Sequence, residues 1–241
     1  MKVTEQIARI IDRFPDGYVF TYSDFLQSVD KKEAIIKALN RMVSAGKIRK
    51  LSKGRYYKPE ITPFGELSPS QYEVVKDLLE QNKDMVGYLT GYSIYNKLGL
   101  TTQVSNTIQI GRNDVRPNFK RGKYTINFVR QKNTITKENY RLLQILDAIR
   151  YIKKIPDSTV SESCQRLLEM IKGLNKKQII LLTKLAQKYP PSSRALLGAL
   201  LDESGLPFNR KELSDSLNPI TQYKFLGQVD VLTRAQDWNI V

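Results

Sequence analysis

Histidine is absent from this 241-residue chain, and Cys164 is its single cysteine. The lack of histidine removes the commonest general base and the commonest zinc ligand, and it excludes Ser-His-Asp and Cys-His nucleophile pairs. One cysteine can form neither an intramolecular disulfide nor a thiolate metal cluster, so we expect Cys164 to be a buried structural residue. We therefore predict no metal site and no cofactor.

Phosphate-binding glycine loops are also missing, because the chain contains neither GxxxxGK[ST] nor GxGxxG. The adjacent carboxylates Asp202 and Glu203 would point to different sides of a helix end and cannot share a metal ion unaided. Pro15-Asp16 and Pro156-Asp157 resemble the start of a nuclease signature, but no acidic-x-Lys triplet follows them on a strand. We therefore predict no catalytic residue and no enzyme, and a nucleic-acid-processing enzyme with an unrecognised site is kept as a rival hypothesis.

Long apolar runs are missing as well. The chain has no stretch of about 18 apolar residues, the length that a membrane-spanning helix requires. Its N-terminal segment MKVTEQIARIID alternates charged and apolar residues at helical spacing, unlike a signal peptide. A hydrophobic content of 41% is enough for packed cores. We expect a globular, cytoplasmic protein without a membrane partner.

Positive charge is abundant. The chain has 39 Lys+Arg against 24 Asp+Glu, a formal net charge of +15 and a pI near 9.7. This balance predicts a polyanionic partner, with nucleic acid as the first candidate. The excess is densest at the N-terminus, where residues 1–58 hold 13 Lys+Arg against 6 Asp+Glu.

Residues 1–58 have the pattern of a winged helix-turn-helix. Apolar residues at three- and four-residue steps predict helices over Val3–Phe14 and Lys31–Ala45, with a short extended segment and a short helix over Asp24–Ser28 between them. Gly46 suits the end of the third helix. Two short basic segments then flank the turn Ser52-Lys53-Gly54, which predicts a β-hairpin.

The outer face of the third predicted helix and the basic hairpin form the candidate DNA-binding surface. On the helix, Asn40 is suited to pair with adenine, and Lys37 and Arg41 with guanine, while the hairpin cations are suited to phosphates. Eight basic residues and no acidic residue lie between Lys37 and Lys58. The alternative is that these charges are a solvated face of a winged helix used for protein contacts. The predicted surface comprises Lys32, Lys37, Asn40, Arg41, Ser44, Lys47, Arg49, Lys50, Lys53 and Arg55.

The remainder of the chain predicts a second domain. Pro59, Pro63 and Gly65 indicate an extended connector, so we place the domains at 1–60 and 61–241. Alternation over 104–130 predicts two or three strands, and a sub-boundary is placed near 133–136. Beyond it, helices are predicted over Thr136–Lys153, Asp157–Lys172, Asn175–Lys188, Ser192–Glu203 and Arg210–Leu217. The predicted fold class is α+β, with an N-terminal winged helix-turn-helix followed by a mixed α/β domain that ends in a helical bundle.

Two further features lie in this second domain. Tyr88, Tyr92 and Tyr95 are spaced by four and three residues, which favours a helical core or a protein interface over a cofactor site. A second basic run, residues 112–132, contains seven Lys and Arg residues and a single acidic residue, Asp114. Aromatic residues are interleaved with these charges. This run is either a nucleic-acid-binding sheet edge or, as we prefer, a strand whose aromatic residues are core and whose charges protect an edge. The candidate second basic surface comprises Arg112, Arg116, Lys120, Arg121, Lys123 and Arg130.

Several segments resemble a known family over roughly residues 1–150. They are Tyr18-Val19-Phe20-Thr21 with Asp24-Phe25, Ala38-Leu39-Asn40-Arg41-Met42-Val43 with Gly46-Lys47-Ile48, Lys53-Gly54-Arg55-Tyr56-Tyr57-Lys58-Pro59, Phe64-Gly65, Gly87-Tyr88-Leu89-Thr90-Gly91-Tyr92 (GYLTGY), and Asn96-Lys97-Leu98-Gly99-Leu100-Thr101-Thr102-Gln103, which ends in GLTTQ. In these segments the chain is similar to the AbiEi-like antitoxins of AbiE-type (type IV) toxin-antitoxin systems, bacterial proteins that carry an N-terminal winged helix.

The resemblance implies two activities. The winged helix would repress its own operon at promoter inverted repeats, and the second domain would neutralise a partner toxin. The implied partners are double-stranded DNA and a cognate nucleotidyltransferase toxin or its RNA target. The rival interpretation is a stand-alone winged-helix transcriptional regulator whose C-terminal domain senses a ligand or a protein.

Overall fold

The computed structural model describes residues 3–82, 84–225 and 231–241. The chain divides into two compact units. The first contains the residues up to Asp77 together with Phe119–Thr125, and the second contains Leu78–Asn118 and Ile126–Val241. Helices and mainly antiparallel sheets occur in the described ranges, so the predicted α+β class is confirmed. The domain limits at 1–60 and 61–241 stay a prediction.

The first unit begins with α1 (Val3–Asp12) and the two-residue strand β1 (Val19–Phe20). A short 3-10 helix at Tyr22–Phe25 follows, so the short helix predicted over Asp24–Ser28 exists but starts two residues earlier and ends three residues earlier. Thr21 explains the earlier start, because its side chain accepts the Ser23 N–H while the Asp24 carboxylate accepts the Thr21 N–H at 2.8 Å. The next helix, α2 (Lys32–Ser44), lies within the predicted range of 31–45.

A small sheet follows α2. β2 (Arg49–Ser52) and β3 (Arg55–Tyr57) pair antiparallel, and β1 pairs with the other side of β3, in the order β1-β3-β2. Gly54, in the turn between β2 and β3, has a φ of 74°, a left-handed conformation that glycine adopts without steric cost. The predicted hairpin is therefore confirmed.

Buried aromatic rings hold the helices of the first unit on this sheet. Phe20 of β1 meets Phe25 edge-to-face with ring centroids 5.7 Å apart, and it stacks on Tyr56 of β3 at 6.3 Å. Ile7 of α1 and Leu39 of α2 complete the buried side. Each helix thus buries one stripe and leaves its polar face outward.

The extended connector predicted over Pro59–Gly65 is wrong. β4 (Glu60–Thr62) and β5 (Gly65–Leu67) form a second antiparallel hairpin. Pro63 is tolerated because it lies in the turn, where no ladder hydrogen bond needs its missing N–H. The Thr62 hydroxyl closes that turn by donating to the Gly65 carbonyl at 2.8 Å. Helix α3 (Gln71–Leu79) follows.

The second unit contains the short pair β6 (Glu80–Gln81) and β7 (Asp84–Met85), then β8 (Gly87–Thr90) and β9 (Thr107–Arg112). β10 (Phe119–Arg121) and β11 (Tyr124–Arg130) complete a four-stranded sheet in the order β10-β11-β9-β8. Of these strands, β10 and the first two residues of β11 belong to the first unit. Three strands over 104–130 agree with the prediction of two or three.

The helical interpretation of the tyrosine stripe is wrong. Tyr88 lies on β8, which pairs with β9, and Tyr92 lies in a 3-10 turn at Gly91–Ser93. Tyr88 and Tyr95 are buried, whereas Tyr92 is 37% exposed. Spacing by four and three residues therefore does not place these rings on one helical face.

The C-terminal half is largely helical, and its helices are shorter than predicted except α7, which extends one residue beyond the predicted range at each end. The described elements are α4 (Tyr140–Arg150), a 3-10 turn at Ile152–Lys154, α5 (Val160–Lys172), α6 (Lys176–Ala186), α7 (Pro191–Ser204), α8 (Arg210–Ser214) and a 3-10 turn at Ala235–Trp238. Capping boxes at Thr159 and Asn175 fix the starts of α5 and α6. Cys164 is buried in α5, as expected. Within the three described ranges, none of the helices combines the length and apolar character of a membrane span.

A buried carboxylate joins the sheet and helices of the second unit. Asp147, on α4, accepts hydrogen bonds from the hydroxyls of Tyr88 and Thr90 at 2.7 Å each and of Tyr189 at 2.8 Å. Gln131 donates to both tyrosine oxygens at 2.8 Å. Burial raises the pKa of the Asp147 carboxyl, against the opposing effect of the three hydroxyl donors. Strand β8 and the α6–α7 connection therefore meet at Asp147, and Gln131, just after β11, links their two tyrosines.

Replacing this carboxylate should destabilise the protein strongly. Asp147→Ala leaves three buried hydroxyls without their acceptor, and each such group costs about 1–3 kcal/mol. We expect the free energy of unfolding in urea to fall by about 3 kcal/mol or more, while the exposed control Asp215→Ala changes it by about 0.5 kcal/mol or less. Equal effects of the two substitutions would contradict the role given to Asp147.

The raised pKa of Asp147 also predicts a pH dependence. A group with a raised folded-state pKa stabilises the fold fully below its unfolded pKa, about 3.9 for Asp, and that contribution is lost as the pH rises through the folded pKa. The variant Asp147→Asn has no such ionisation. We expect the stability of the wild type relative to Asp147→Asn to decrease as the pH rises above about 4 in parallel urea titrations. A constant difference would mean that the folded-state pKa is not raised.

Candidate nucleic-acid interface

Helix α2 separates a buried face from a polar one. Ile35, Leu39 and Met42 are buried, and the residues that the sequence assigned to DNA contact lie on the exposed side. These exposed residues are Lys32, Lys37, Asn40, Arg41 and Ser44. The helix therefore presents the predicted contact residues on one surface.

Two of the polar residues on α2 already have partners. The Asn40 Oδ1 atom accepts the Tyr56 hydroxyl at 3.0 Å, and the Ser44 hydroxyl donates to the Asn40 carbonyl at 3.2 Å. Pairing with adenine uses the amide oxygen as acceptor and the amide nitrogen as donor. Tyr56 therefore orients the Asn40 amide while occupying one of the two acceptor positions on its oxygen. Lys32 lies with its Nζ 4.6 Å from the centre of the Tyr22 ring.

The cations of the hairpin fall into two groups. Arg49 and Arg55 form ion pairs with Glu66 and Asp77, respectively. By contrast, Lys47, Lys50 and Lys53 are exposed, and no carboxylate in the described part of the chain pairs with them. The three lysines keep their charge available for an external anion.

The pairing of Arg49 is local to the surface. Its Nε donates to the Glu66 Oε2 atom at 2.8 Å, its Nη2 donates to Oε1, and its Nη1 donates to the Gly46 carbonyl at 2.7 Å. Both side chains are about one-third exposed, and ion pairs of this kind stabilise by about 0–1 kcal/mol. Glu66, on β5, thus reduces the positive charge at one side of the hairpin.

Asp77 forms ion pairs with two arginines of the first unit. Arg55 donates to its Oδ2 at 2.6 Å, while Arg121 donates to Oδ1 at 2.5 Å and to the Val74 carbonyl at 2.7 Å. Burial alone raises the pKa of the Asp77 carboxyl, but the hydrogen bonds and charges of Arg121 and Arg55 outweigh burial and lower it below its ordinary value. Asp77 therefore remains ionised and ties Arg55 to the body of the first unit.

The six residues of the second basic run do not share one environment. Arg112 and Arg121 are each 5% exposed, and Arg112 donates to the Leu78 carbonyl at 2.7 Å and pairs with Asp114. Arg116 reaches Asp114 at 3.4 Å, and Lys123 donates to the Ser68 hydroxyl at 3.3 Å. Lys120 and Arg130 are exposed. Arg112 and Arg121 therefore act as internal anchors, and β10, which carries Lys120, is an edge strand.

The carboxylates that neutralise Arg49 and Arg55 were not found by sequence reasoning. Glu66 follows 17 residues after Arg49, and Asp77 follows 22 residues after Arg55, so no local spacing relates the partners.

Among residues 3–82, 84–225 and 231–241, no group of three or more Cys, Asp or Glu side chains is placed to hold a metal ion.

Comparison with known proteins places the chain in a family. Residues 6–181 match the model of DUF6088, described as a family of unknown function. No curated protein matches the chain. Among solved structures, the RV2827C protein from Mycobacterium tuberculosis is similar over 92% of this chain and 82% of that chain, with a TM-score of 0.55 and 16% sequence identity, which indicates a shared fold alone. Since the family match spans well over half of the 241 residues, the chain belongs to DUF6088.

Proposed function

We propose that the protein is a cytoplasmic, sequence-specific DNA-binding antitoxin that represses its own operon and counteracts a cognate nucleotidyltransferase toxin. One observation carries the DNA-binding half. Lys37, Arg41, Lys47, Lys50 and Lys53 are exposed on α2 and at the β2–β3 hairpin, and within the described ranges none of them is neutralised by a carboxylate. A surface of this kind attracts the phosphates of a duplex.

The order of elements in the first unit supports a winged-helix interpretation. α1, β1, the 3-10 helix, α2 and the β2–β3 hairpin follow each other in the order expected for that motif. α2 has 13 residues and is therefore about 20 Å long at 1.5 Å per residue. A major groove about 12 Å wide admits such a helix. In this proposal α2 is the recognition helix and the hairpin is the wing.

The two parts of the surface have different tasks. Arg41 and Lys37 reach base edges from α2, with guanine as the preferred partner, and Asn40 reaches adenine. Lys47, Lys50 and Lys53 contact phosphates. If each neutralises one phosphate, together they contribute about −3 to the slope of log affinity against log salt concentration. Sequence preference then depends on the helix, and salt dependence depends mainly on the wing.

Substitutions should separate these tasks. Arg41→Ala is expected to weaken binding to the native promoter by about tenfold and binding to a scrambled duplex much less, because it removes a base contact. Lys50→Ala should weaken both alike and make the salt slope shallower by about 1. Fluorescence-anisotropy titrations at several salt concentrations measure both quantities.

Arg49→Ala provides a matched control for Lys50→Ala, since the two residues are neighbours on β2. The guanidinium of Arg49 is already paired with Glu66, so its removal should change the affinity and the salt slope less than the removal of Lys50 does. If wild-type protein binds promoter and scrambled duplex equally in physiological salt, the specific-repressor proposal fails.

The antitoxin half of the proposal rests on the resemblance to AbiEi-like antitoxins, which includes GYLTGY at 87–92 and GLTTQ at 99–103. It predicts that a neighbouring gene encodes a nucleotidyltransferase whose expression arrests growth. Co-expression of this protein should restore growth, and the double variant Arg41→Ala/Lys50→Ala should restore it equally, because those residues belong to the DNA surface. Continued arrest with the wild-type protein at matched expression would contradict the antitoxin role.

A stand-alone transcriptional regulator with a ligand-sensing second domain is the second candidate. The observation in its favour is a cavity of about 420 Å³ in the second unit, a volume within the range of small-molecule sites. Gene neighbourhood distinguishes the two candidates, because the regulator requires no adjacent toxin gene.

A further inference from the structure

Two sequence segments without an assigned role meet in the second unit. The segments GYLTGY and GLTTQ, with the residues just after them, form walls of a cavity of about 420 Å³. Its lining includes Tyr92, Tyr95, Thr101, Gln103, Val104 and Pro156. Tyr92 is 37% exposed and Val104 is 82% exposed, whereas Tyr95 is buried in the hydrophobic core.

Glycine makes the first wall possible. Gly91 has a φ of 56°, and a Cβ atom added to it would lie 1.9 Å from the Gln109 Oε1 atom. That oxygen instead accepts the Tyr92 N–H at 2.9 Å, while the Gln109 N–H donates to the Ser93 hydroxyl at 2.8 Å. The tight turn therefore fixes the Tyr92 backbone against strand β9 and leaves its ring at the cavity.

Polar contacts hold the second wall in place. The Asn96 amide donates to the carbonyls of Thr101 and Thr102 at 3.2 Å and 3.1 Å. The Gln103 amide donates to the Asp157 Oδ2 atom at 2.5 Å. Side chains thus hold the last three residues of GLTTQ, and Thr101 and Gln103 line the cavity.

A smaller recess of about 190 Å³ shares Tyr92 and Tyr95 with the cavity. It adds Gln109, Tyr151 and Lys154 to the lining. Lys154 lies with its Nζ 5.8 Å from the centre of the Tyr151 ring. Among the described residues, Lys154 is the one charged side chain in the two linings, and Asp157 adjoins them through its hydrogen bond with Gln103.

We propose that these two spaces, which share Tyr92 and Tyr95, together bind one nucleotide unit, with its base against the Tyr92 ring and its phosphate beside Lys154. The exposed ring offers a stacking face, which any base can use. The Gln103 amide nitrogen already donates to Asp157 and the Thr101 hydroxyl accepts the Gln103 backbone N–H, so the Gln103 amide oxygen offers an acceptor and the Thr101 hydroxyl a donor for base edges. The ammonium group of Lys154 offers a counter-charge for phosphate. The volumes suit a ligand of that size.

The same chemistry occurs in a free nucleotide and at the end of a single-stranded nucleic acid. The probes are therefore ATP, GTP, CTP and UTP on one side, and a ten-residue oligouridylate and oligoadenylate with 5′-phosphate on the other. Equilibrium dialysis of labelled probes against the full-length protein gives the dissociation constants. Tighter binding of the oligonucleotides identifies a strand end as the ligand, and equal or weaker binding identifies the free nucleotide.

Variants locate the binding site. Tyr92→Ala and Lys154→Gln should each weaken binding about tenfold or more, whereas Tyr92→Phe, which keeps the ring, should change it less than threefold. Adenosine should bind more weakly than ATP to the wild type, and this difference should shrink in Lys154→Gln. Lys177→Gln, which changes an exposed lysine of α6 in the same unit, is the matched control and should leave binding unchanged.

Two outcomes would overturn the inference. One is the absence of binding of every probe at millimolar concentration. The other is binding that survives in Tyr92→Ala and Lys154→Gln with normal thermal unfolding of both variants, or that falls equally in Lys177→Gln. The inference does not rest on the proposed function, since promoter binding is measured separately and involves residues 37–53 alone. Loss of either activity with retention of the other tells the two proposals apart.

Discussion

A buried carboxylate determines how the second unit is assembled. Asp147 is surrounded by hydroxyl donors from β8 and from the α6–α7 connection, and Gln131 links the two tyrosines among them. Burying such a group is unfavourable unless all its acceptor positions are used, so the sheet and helices can approach only in the arrangement that supplies the donors. The same arrangement positions the end of β8, where Gly91 and Tyr92 begin the wall of the cavity. The geometry of the proposed ligand site therefore depends on a residue that does not line it.

The first unit illustrates why net charge and available charge differ. Arg49, Arg55 and Arg121 contribute to the total of +15, yet Glu66 and Asp77 engage all three. Arginine suits these roles because its planar guanidinium donates to a carboxylate and a carbonyl at once, as Arg121 does with Asp77 and Val74. The cations left for an external partner are chiefly lysines, whose compact charge favours phosphate contacts without base preference. Sequence discrimination in the proposed complex then depends mainly on Arg41 and Asn40 of α2.

The sequence predicts what is encoded locally. Periodicity indicated α1, α2, α5 and α6, each of which buries one apolar stripe, while α4 and α7 are buried at consecutive positions. The β2–β3 hairpin followed from the basic segments around Gly54. Periodicity did not predict β4 and β5. Their apolar residues Ile61, Phe64 and Leu67 are exposed, so these strands have no buried face to produce an alternating pattern. Sequence reasoning also missed the pairs Arg49–Glu66 and Arg55–Asp77, which join distant positions. Asp147 is visible in the sequence as the one carboxylate in the apolar run 142–149, which indicates that it needs hydrogen-bond partners. The sequence does not indicate which residues those partners are.

The two proposed sites differ in how they are built. The DNA surface is contiguous between Lys37 and Lys53, so a change there alters binding without altering much of the fold. The cavity draws on residues from Tyr92 to Pro156 and on a carboxylate network that includes Tyr189. The family match ends at residue 181, before Tyr189. A fragment limited to the matched residues would keep the cavity lining but would remove one of the three hydroxyl donors to Asp147, leaving a buried carboxylate underbonded. The ligand site can therefore be tested only in a chain that retains the helices beyond the matched segment.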